Sequence, residues 1–211
     1  MPERAEVELV DESGAPAGVA AKAAAHEAPG HLHRAFSVFL FSPGPVPRLL
    51  VQRRALSKYH FAGIWANTCC SHPAPGEDIV DSARRRLIEE LGIGTDGRAD
   101  RGRPGSGLVL QGAIVPAGHF VYRAVDPKSG LVEHEYDHVF VGTVTRHDGS
   151  SPGPEDLPAA DPDEVEETRW ITIGEARSAA AGEGEDRFAP WFGEALELAL
   201  NLGGVHQLGS L

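Results

Sequence analysis

Residues 77–93 read EDIVDSARRRLIEELGI, and this stretch decides the fold. Pro73, Pro75 and Gly76 precede it as helix breakers, and Glu77 and Asp78 put negative charge where the positive end of a helix would lie. Val80, Ala83, Leu87 and Leu91 recur at three- and four-residue steps, so a helix over Asp78–Leu91 carries one apolar stripe. Arg84, Arg85 and Glu89 take the polar faces, and Gly92 stands where a C-terminal cap belongs. Glu89 or Glu90 offers hard oxygen of the kind that holds Mg²⁺, an ion that in turn neutralises phosphate oxygens.

Strands are expected on both sides of this helix. VELVDESG (from Val7) reads as a short strand running into a turn, and GVAAKAAAHEAPG follows as an Ala-rich piece closed by Pro29 and Gly30. The run AFSVFLF (35–41) is apolar on both faces, which predicts a buried strand, and LLVQRRA (49–55) predicts its hairpin partner. Downstream, LVLQGAIV (108–115), GHFVYRAV (118–125) and LVEHEYDHVFVGTV (131–144) are three strand candidates, with DPKSG as the turn before the last. TRWITI (168–173) is a further strand, Gly174–Ala181 a short helix, and Ala189–Leu202 a longer one with Trp191, Ala195 and Leu198 on one face. Residues 95–107 and 147–167 are rich in Gly, Pro and charge and read as surface loops, and 1–6 and 203–211 as frayed ends. These elements make an α+β protein, an α/β/α sandwich with a mixed sheet between helices.

Length and composition narrow the function classes. At 211 residues and 41% hydrophobic, the chain suits one core and a single domain. Its net charge of −12 excludes a general nucleic-acid surface but leaves room for a small basic pocket around one anionic ligand. No run reaches the ~20 apolar residues of a membrane span. MPERAEVELVDESG has charges where a secretory signal needs apolar residues, so a cytoplasmic address is expected. Cys69 and Cys70, adjacent in sequence, are expected to be reduced thiols. Glu133 and Glu135, two apart on a strand, point to one face, while His134, Tyr136 and His138 point to the other. Close carboxylates repel unless a cation or a shared proton relieves them.

Glu77, Arg85, Leu87, Glu89, Glu90, Gly92 and Ile93 fall on most positions of the Nudix signature, a loop–helix–loop that holds a metal beside a diphosphate. Ser71 stands where that signature has Gly, and Arg86 where it has Glu. Around the helix, from about Val7 to Asn201, the chain resembles type I isopentenyl-diphosphate isomerases, which have the Nudix fold. The resemblance rests on AAHEAPGHLHRAFS, QRRALSK, WANTCCSHP, RRRLIEELG, YRAV, LVEHEY and FAPW in that order.

The resemblance implies roles for individual residues. Trp65, Asn67, Cys70, Ser71, His72 and Pro73 match a Trp–x–Asn followed by Cys–x–His–Pro, which makes Cys70 the catalytic thiol and Cys69 its inert neighbour. Glu135 matches the second acid/base group, Tyr122 a tyrosine supporting it, and Trp191 an aromatic facing a carbocation. Cation–π attraction in a dry site supplies ~2 kcal/mol, only about thirtyfold in rate, so positioned proton donors and electrostatics must do most. His26, His33, His72, Glu133 and Glu135 match the ligands of a divalent metal, Mn²⁺, Zn²⁺ or Mg²⁺, with His31 a rival to His33. Glu90 matches the residue reaching a second ion, Mg²⁺, that arrives with the diphosphate. Lys22, Arg54, Lys58 and Arg86 match phosphate-binding positions. His60, His119, His134, His138, His147 and His206 read as surface or packing residues.

The expected partner is therefore a small diphosphate, with neither nucleic acid nor membrane involved. Oligomeric state is unknown from the sequence, with a monomer favoured. A Nudix hydrolase of a nucleoside diphosphate derivative would release phosphate and tolerate loss of Cys70, and a non-catalytic metal-binding module would lack a catalytic residue. Arg86 in place of a signature carboxylate speaks for the isomerase over the hydrolase.

Overall fold

In chain order the elements are β1 (Glu6–Val10), β2 (Pro16–Ala21), α1 (Lys22–His26), β3 (His33–Phe41), β4 (Arg48–Arg54), β5 (Trp65–Ala66) and β6 (Cys69–Ser71). They continue as α2 (Ile79–Leu91), β7 (Leu108–Val125), β8 (Val132–Arg146), β9 (Val165–Thr172), α3 (Ile173–Ala180) and α4 (Phe192–Leu202). The computed structural model describes residues 6–95 and 107–202.

β3 is the strand around which the sheet forms. Its two-sided apolarity is explained by helices on both faces. Phe36, Val38 and Leu40 pack with Ala83, Leu87 and Leu91 of α2, while Phe39 and Phe41 pack with Phe192, Ala195 and Leu196 of α4. Each such buried aromatic or aliphatic side chain contributes about 1.5–3 kcal/mol relative to an exposed one. One edge of β3 is covered along its length by β8, running parallel from His33↔Glu135 to Phe41↔Thr143. The other edge is shared by β1 at His33, β6 at Phe36–Val38 and β4 at Leu40–Phe41. The result is the expected α/β/α sandwich with a mixed sheet.

α2 is capped at both ends. The Asp78 carboxylate accepts from the backbone N–H of Val80 (2.9 Å) and Asp81 (3.1 Å), so Asp78 is the N-cap and the helix starts at Ile79. Gly92 is left-handed at φ 63°, a conformation that ends the helix at little cost only in glycine, and its N–H bonds to Ile88 O.

Several sequence expectations need correcting. The predicted hairpin of β3 and β4 is paired only at Leu40↔Leu50 and Phe41↔Leu49; β4 instead pairs with β9 through most of its length. LVLQGAIV and GHFVYRAV are one strand, β7, whose irregularities at Gln111/Val115 and Pro116/Gly118 mimic a break. The Ala-rich piece divides into β2 and α1. Glu6, expected to be frayed, pairs with Ala21, and β9 takes 165–167 from the expected loop 147–167. The last helix begins at Phe192 and not at Ala189, whose N–H bonds instead to Trp65 O. Most of the predicted 95–107 loop, both outermost ends and His206 lie outside the described residues.

The cap analysis has a measurable consequence. Asp78→Ala should lower stability by about 1 kcal/mol. That corresponds to a melting temperature about 2–4 °C lower, read by calorimetry, with metal content unchanged.

Candidate active site

The parallel register of β3 and β8 sets His33 beside Glu135, and strand alternation turns Glu133 to the same side. α1 ends at His26, and the chain leaves β6 at His72, so five donors from four elements converge. Their ligand atoms all lie within 4.8 Å of one another. His72 Nε2 is 2.8 Å from Glu135 Oε1 and 3.1 Å from His33 Nε2, and His26 Nε2 is 3.5 Å from Glu133 Oε2. Two backbone carbonyls set the rings: Nδ1 of His26 lies 2.7 Å from Lys22 O, and Nδ1 of His33 lies 2.7 Å from His31 O. With Nδ1–H donating there, both Nε2 lone pairs face the cluster.

This donor set fits a divalent metal. His26 Nε2 and Glu133 Oε2 are buried without a hydrogen-bond partner among the described residues. Orphaned acceptors beside two carboxylates are costly in a dry interior unless a cation sits among them.

The acidic pair is held charged against its surroundings. Burial pushes both carboxyls up. For Glu135 the contacts with Glu133, His33 and Tyr122 outweigh burial and hold it well below the usual carboxylate range. For Glu133 the charge on Glu135 adds to the burial, yet the His26 and His60 rings beside it bring it down. Tyr122 OH donates to Glu135 Oε2 at 2.7 Å, and burial, then the Glu135 charge, pushes the phenol up. Further along β8, burial and the Glu135 charge push Asp137 up, and Ser37 Oγ donates to it at 2.7 Å.

β6 separates the two cysteines. It pairs antiparallel with β3, and alternation sends Cys69 under α2, fully buried, while Cys70 faces the α4 side and lines the pocket. Burial pushes the Cys70 thiol up to about 12, with Arg54 pulling the other way; Arg54 Nη1 is 3.6 Å from its sulfur. Trp191 Nε1 donates to Asn67 Oδ1 at 3.1 Å, which fixes its ring 5.8 Å from that of Tyr122. Lys22, Arg54, Lys58, Cys70, His72, Tyr122, Glu133, Glu135 and Trp191 line one pocket. It is a basic pocket in an acidic protein.

Other expected residues lie elsewhere. Arg86 and Glu90 do not line that pocket. Arg86 bonds to Glu90 at 2.7 Å, Glu89 at 3.1 Å and Glu164 at 3.1 Å, and Glu164 also pairs with Lys58. Gln52 donates to the second Glu90 oxygen at 3.2 Å. Arg86 thus neutralises a set of carboxylates behind the pocket. Arg85 likewise joins Glu77 (3.0 Å) to Glu89 (2.9 Å), which ties the loop before α2 to the helix.

Geometry separates His31 from His33. His31 precedes β3 and is exposed, contributing its carbonyl, whereas His33 is fully buried in the donor group. His60, expected to be a surface or packing residue, is 4% exposed, lines the pocket and sits 2.5 Å from Glu133 Oε1. The only sequence signal for it was its place in the SKYHFAG turn beside Lys58. His119, stacked on Tyr136, and His138, beside Arg34, are packing residues on the opposite face, and His147 is exposed.

Known proteins place this architecture. The NUDIX domain matches residues 31–192. An isopentenyl-diphosphate Delta-isomerase of Streptomyces griseus is 44% identical over 92% of this chain and 82% of its own. The one from Nocardia farcinica is 42% identical over 92% and 93%. Among solved structures, a Deinococcus radiodurans protein superposes with TM-score 0.63 at 18% identity, covering 92% of this chain and 98% of that one. A MutT protein from Methanosarcina mazei gives 0.51 at 16% identity, covering 79% and 91%. Among the described residues no helix is long and apolar enough to cross a membrane. With a NUDIX domain over most of its length and such relatives along nearly all of it, the chain belongs to the isopentenyl-diphosphate Delta-isomerase family.

Proposed function

We infer that the chain interconverts isopentenyl diphosphate and dimethylallyl diphosphate, with Cys70 and Glu135 as its acid/base pair. One observation carries this reading. β6 and β8 flank β3 on opposite edges, so Cys70 and Glu135 enter one pocket from two sides, beside three cationic side chains. The reaction needs that arrangement. A proton is added to the terminal CH₂ of the alkene, and the electron pair of the double bond forms the new C–H bond. A proton then leaves the carbon next to the C–O carbon, and its bonding pair becomes the new double bond. One member of the pair gives the first proton and the other takes the second; in the reverse direction they exchange roles.

The intervening state has tertiary-carbocation character. Trp191, buried at 3% exposure, lines the pocket, where its ring would attract such a cation. Tyr122 orients Glu135 through its hydrogen bond. Lys22, Arg54 and Lys58 suit the diphosphate, while Arg86 offsets the carboxylates of Glu89, Glu90 and Glu164 behind them. His26, His33, His72, Glu133 and Glu135 would hold a divalent metal (Mn²⁺, Zn²⁺ or Mg²⁺), whereas Glu90 would have to release Arg86 or Gln52 to reach Mg²⁺ bound with the substrate. When bound, such ions supply positive charge that lets the carboxylates and the diphosphate sit close together. The two free cysteines suit a reducing compartment, and we infer a cytoplasmic setting.

Incubation of isopentenyl diphosphate in deuterated water tests the reading. Deuterated dimethylallyl diphosphate should form in the presence of Mg²⁺, fail to form with a chelator, and appear without phosphate release. Phosphate release without isomerisation would point to a hydrolase. Cys70→Ala and Glu135→Gln should each cut turnover at least about a thousandfold with circular dichroism unchanged, while Cys69→Ala stays active. Tyr122→Phe removes a bond to a charged group worth about 1.5–3 kcal/mol. Its kcat should fall about tenfold to a hundredfold at near-constant KM.

A further inference from the structure

We propose that His60 is a positioning residue for the metal centre, acting through Glu133. This rests on the reading of the five-donor group as a metal site. Glu133 has two oxygens in different situations. Oε1 is 2.5 Å from His60 Nε2, while Oε2 is buried without a hydrogen-bond partner among the described residues, 3.5 Å from the equally unpartnered His26 Nε2. A carboxylate held through one oxygen by an N–H donor cannot swing, so its second oxygen stays aimed among the donors. His60 itself stands outside the group of five.

The backbone around His60 is arranged to keep that donor in place. Arg54, buried at 8% exposure, donates through Nη2 to His60 O (3.3 Å) and through Nε to Phe61 O (3.1 Å). Phe61 N–H donates to Asp126 Oδ2 at 3.1 Å, and Phe61 is left-handed at φ 47°. A bulky aromatic residue rarely adopts this conformation, and such strain persists only where surrounding bonds impose it. Three hydrogen bonds do so here, and their effect is to turn the His60 ring inward. His60 Nδ1 is buried without a hydrogen-bond partner among the described residues, so the ring satisfies Glu133 at the expense of its own second nitrogen. A residue that only filled space would not need that orientation.

The test is metal binding by the metal-free full chain. Zn²⁺ affinity is measured by competition with a chromophoric chelator, and the Co²⁺ absorption spectrum is recorded for wild type, His60→Ala and His60→Gln. His60→Ala should weaken Zn²⁺ binding about tenfold to a hundredfold while leaving the Co²⁺ band positions unchanged. His60→Gln, whose amide can donate to Glu133, should recover most of the loss. Equal affinity in wild type and His60→Ala overturns the proposal, and so do shifted Co²⁺ bands, which would make His60 a ligand. If His60→Ala does not fold, His60→Gln against His60→Met, similar in volume but without a donor, gives the same comparison. A folded wild type that binds neither ion overturns the metal-centre reading itself, and this inference with it.

Discussion

Two carboxylates and three imidazoles, all but one of them nearly sealed from water, are held where their lone pairs converge. Left to themselves such groups would separate or take up protons. The parallel ladder of β3 and β8 prevents separation, because His33 and Glu135 are register partners and cannot part without breaking the centre of the sheet. A slip of one residue along that ladder would turn Glu133 and Glu135 to the far face and bring His134 and Tyr136 in their place. The two apolar cores forbid the slip, since the same shift would exchange Val139 and Val141 of one core with Phe140 and Val144 of the other. Packing energy on both faces of the sheet thus keeps an electrostatically unfavourable cluster assembled.

Charge around the pocket is organised in two layers. Lys22, Arg54 and Lys58 reach the cavity, whereas Arg86 is engaged by Glu89, Glu90 and Glu164 behind it. Glu164 touches both layers, pairing with Lys58 as well as Arg86, and its backbone bonds to Ala55. The segment closing the acidic Pro-rich loop is therefore part of the wall behind Lys58. Its Asp161 N–H also bonds to Glu90 O, which joins that wall to α2.

The sequence made the helix of 79–91 legible because its caps and apolar stripe are local features. β3 was legible for the same reason, since an apolar run between breakers needs no partner to be recognised. Pairing was less so: the β3–β4 hairpin was the nearest-neighbour expectation, but long-range partners β8 and β9 took most of the edges. The donors His26, His33, His72, Glu133 and Glu135 were legible only through a resemblance, because nothing in their spacing brings residues 26 and 133 together. His60 was missed since its burial depends on the path of 60–63, which Arg54 and Asp126 impose from elsewhere in the chain. Arg86 was expected at the phosphate, and its carboxylate partners at 89 and 90 were in view; Glu164, far along the chain, was not.

β6, three residues long, makes a wall between neighbouring sulfurs. Cys69 lies sealed beneath α2, and Cys70 opens into the cavity. Two atoms that are chemically equivalent in the unfolded chain become unequal only when the sheet closes around them. A small alkylating reagent would therefore meet at most one sulfur in a closed sheet and both in an opened one, so an indistinct pair of letters becomes an internal gauge of whether the fold is intact.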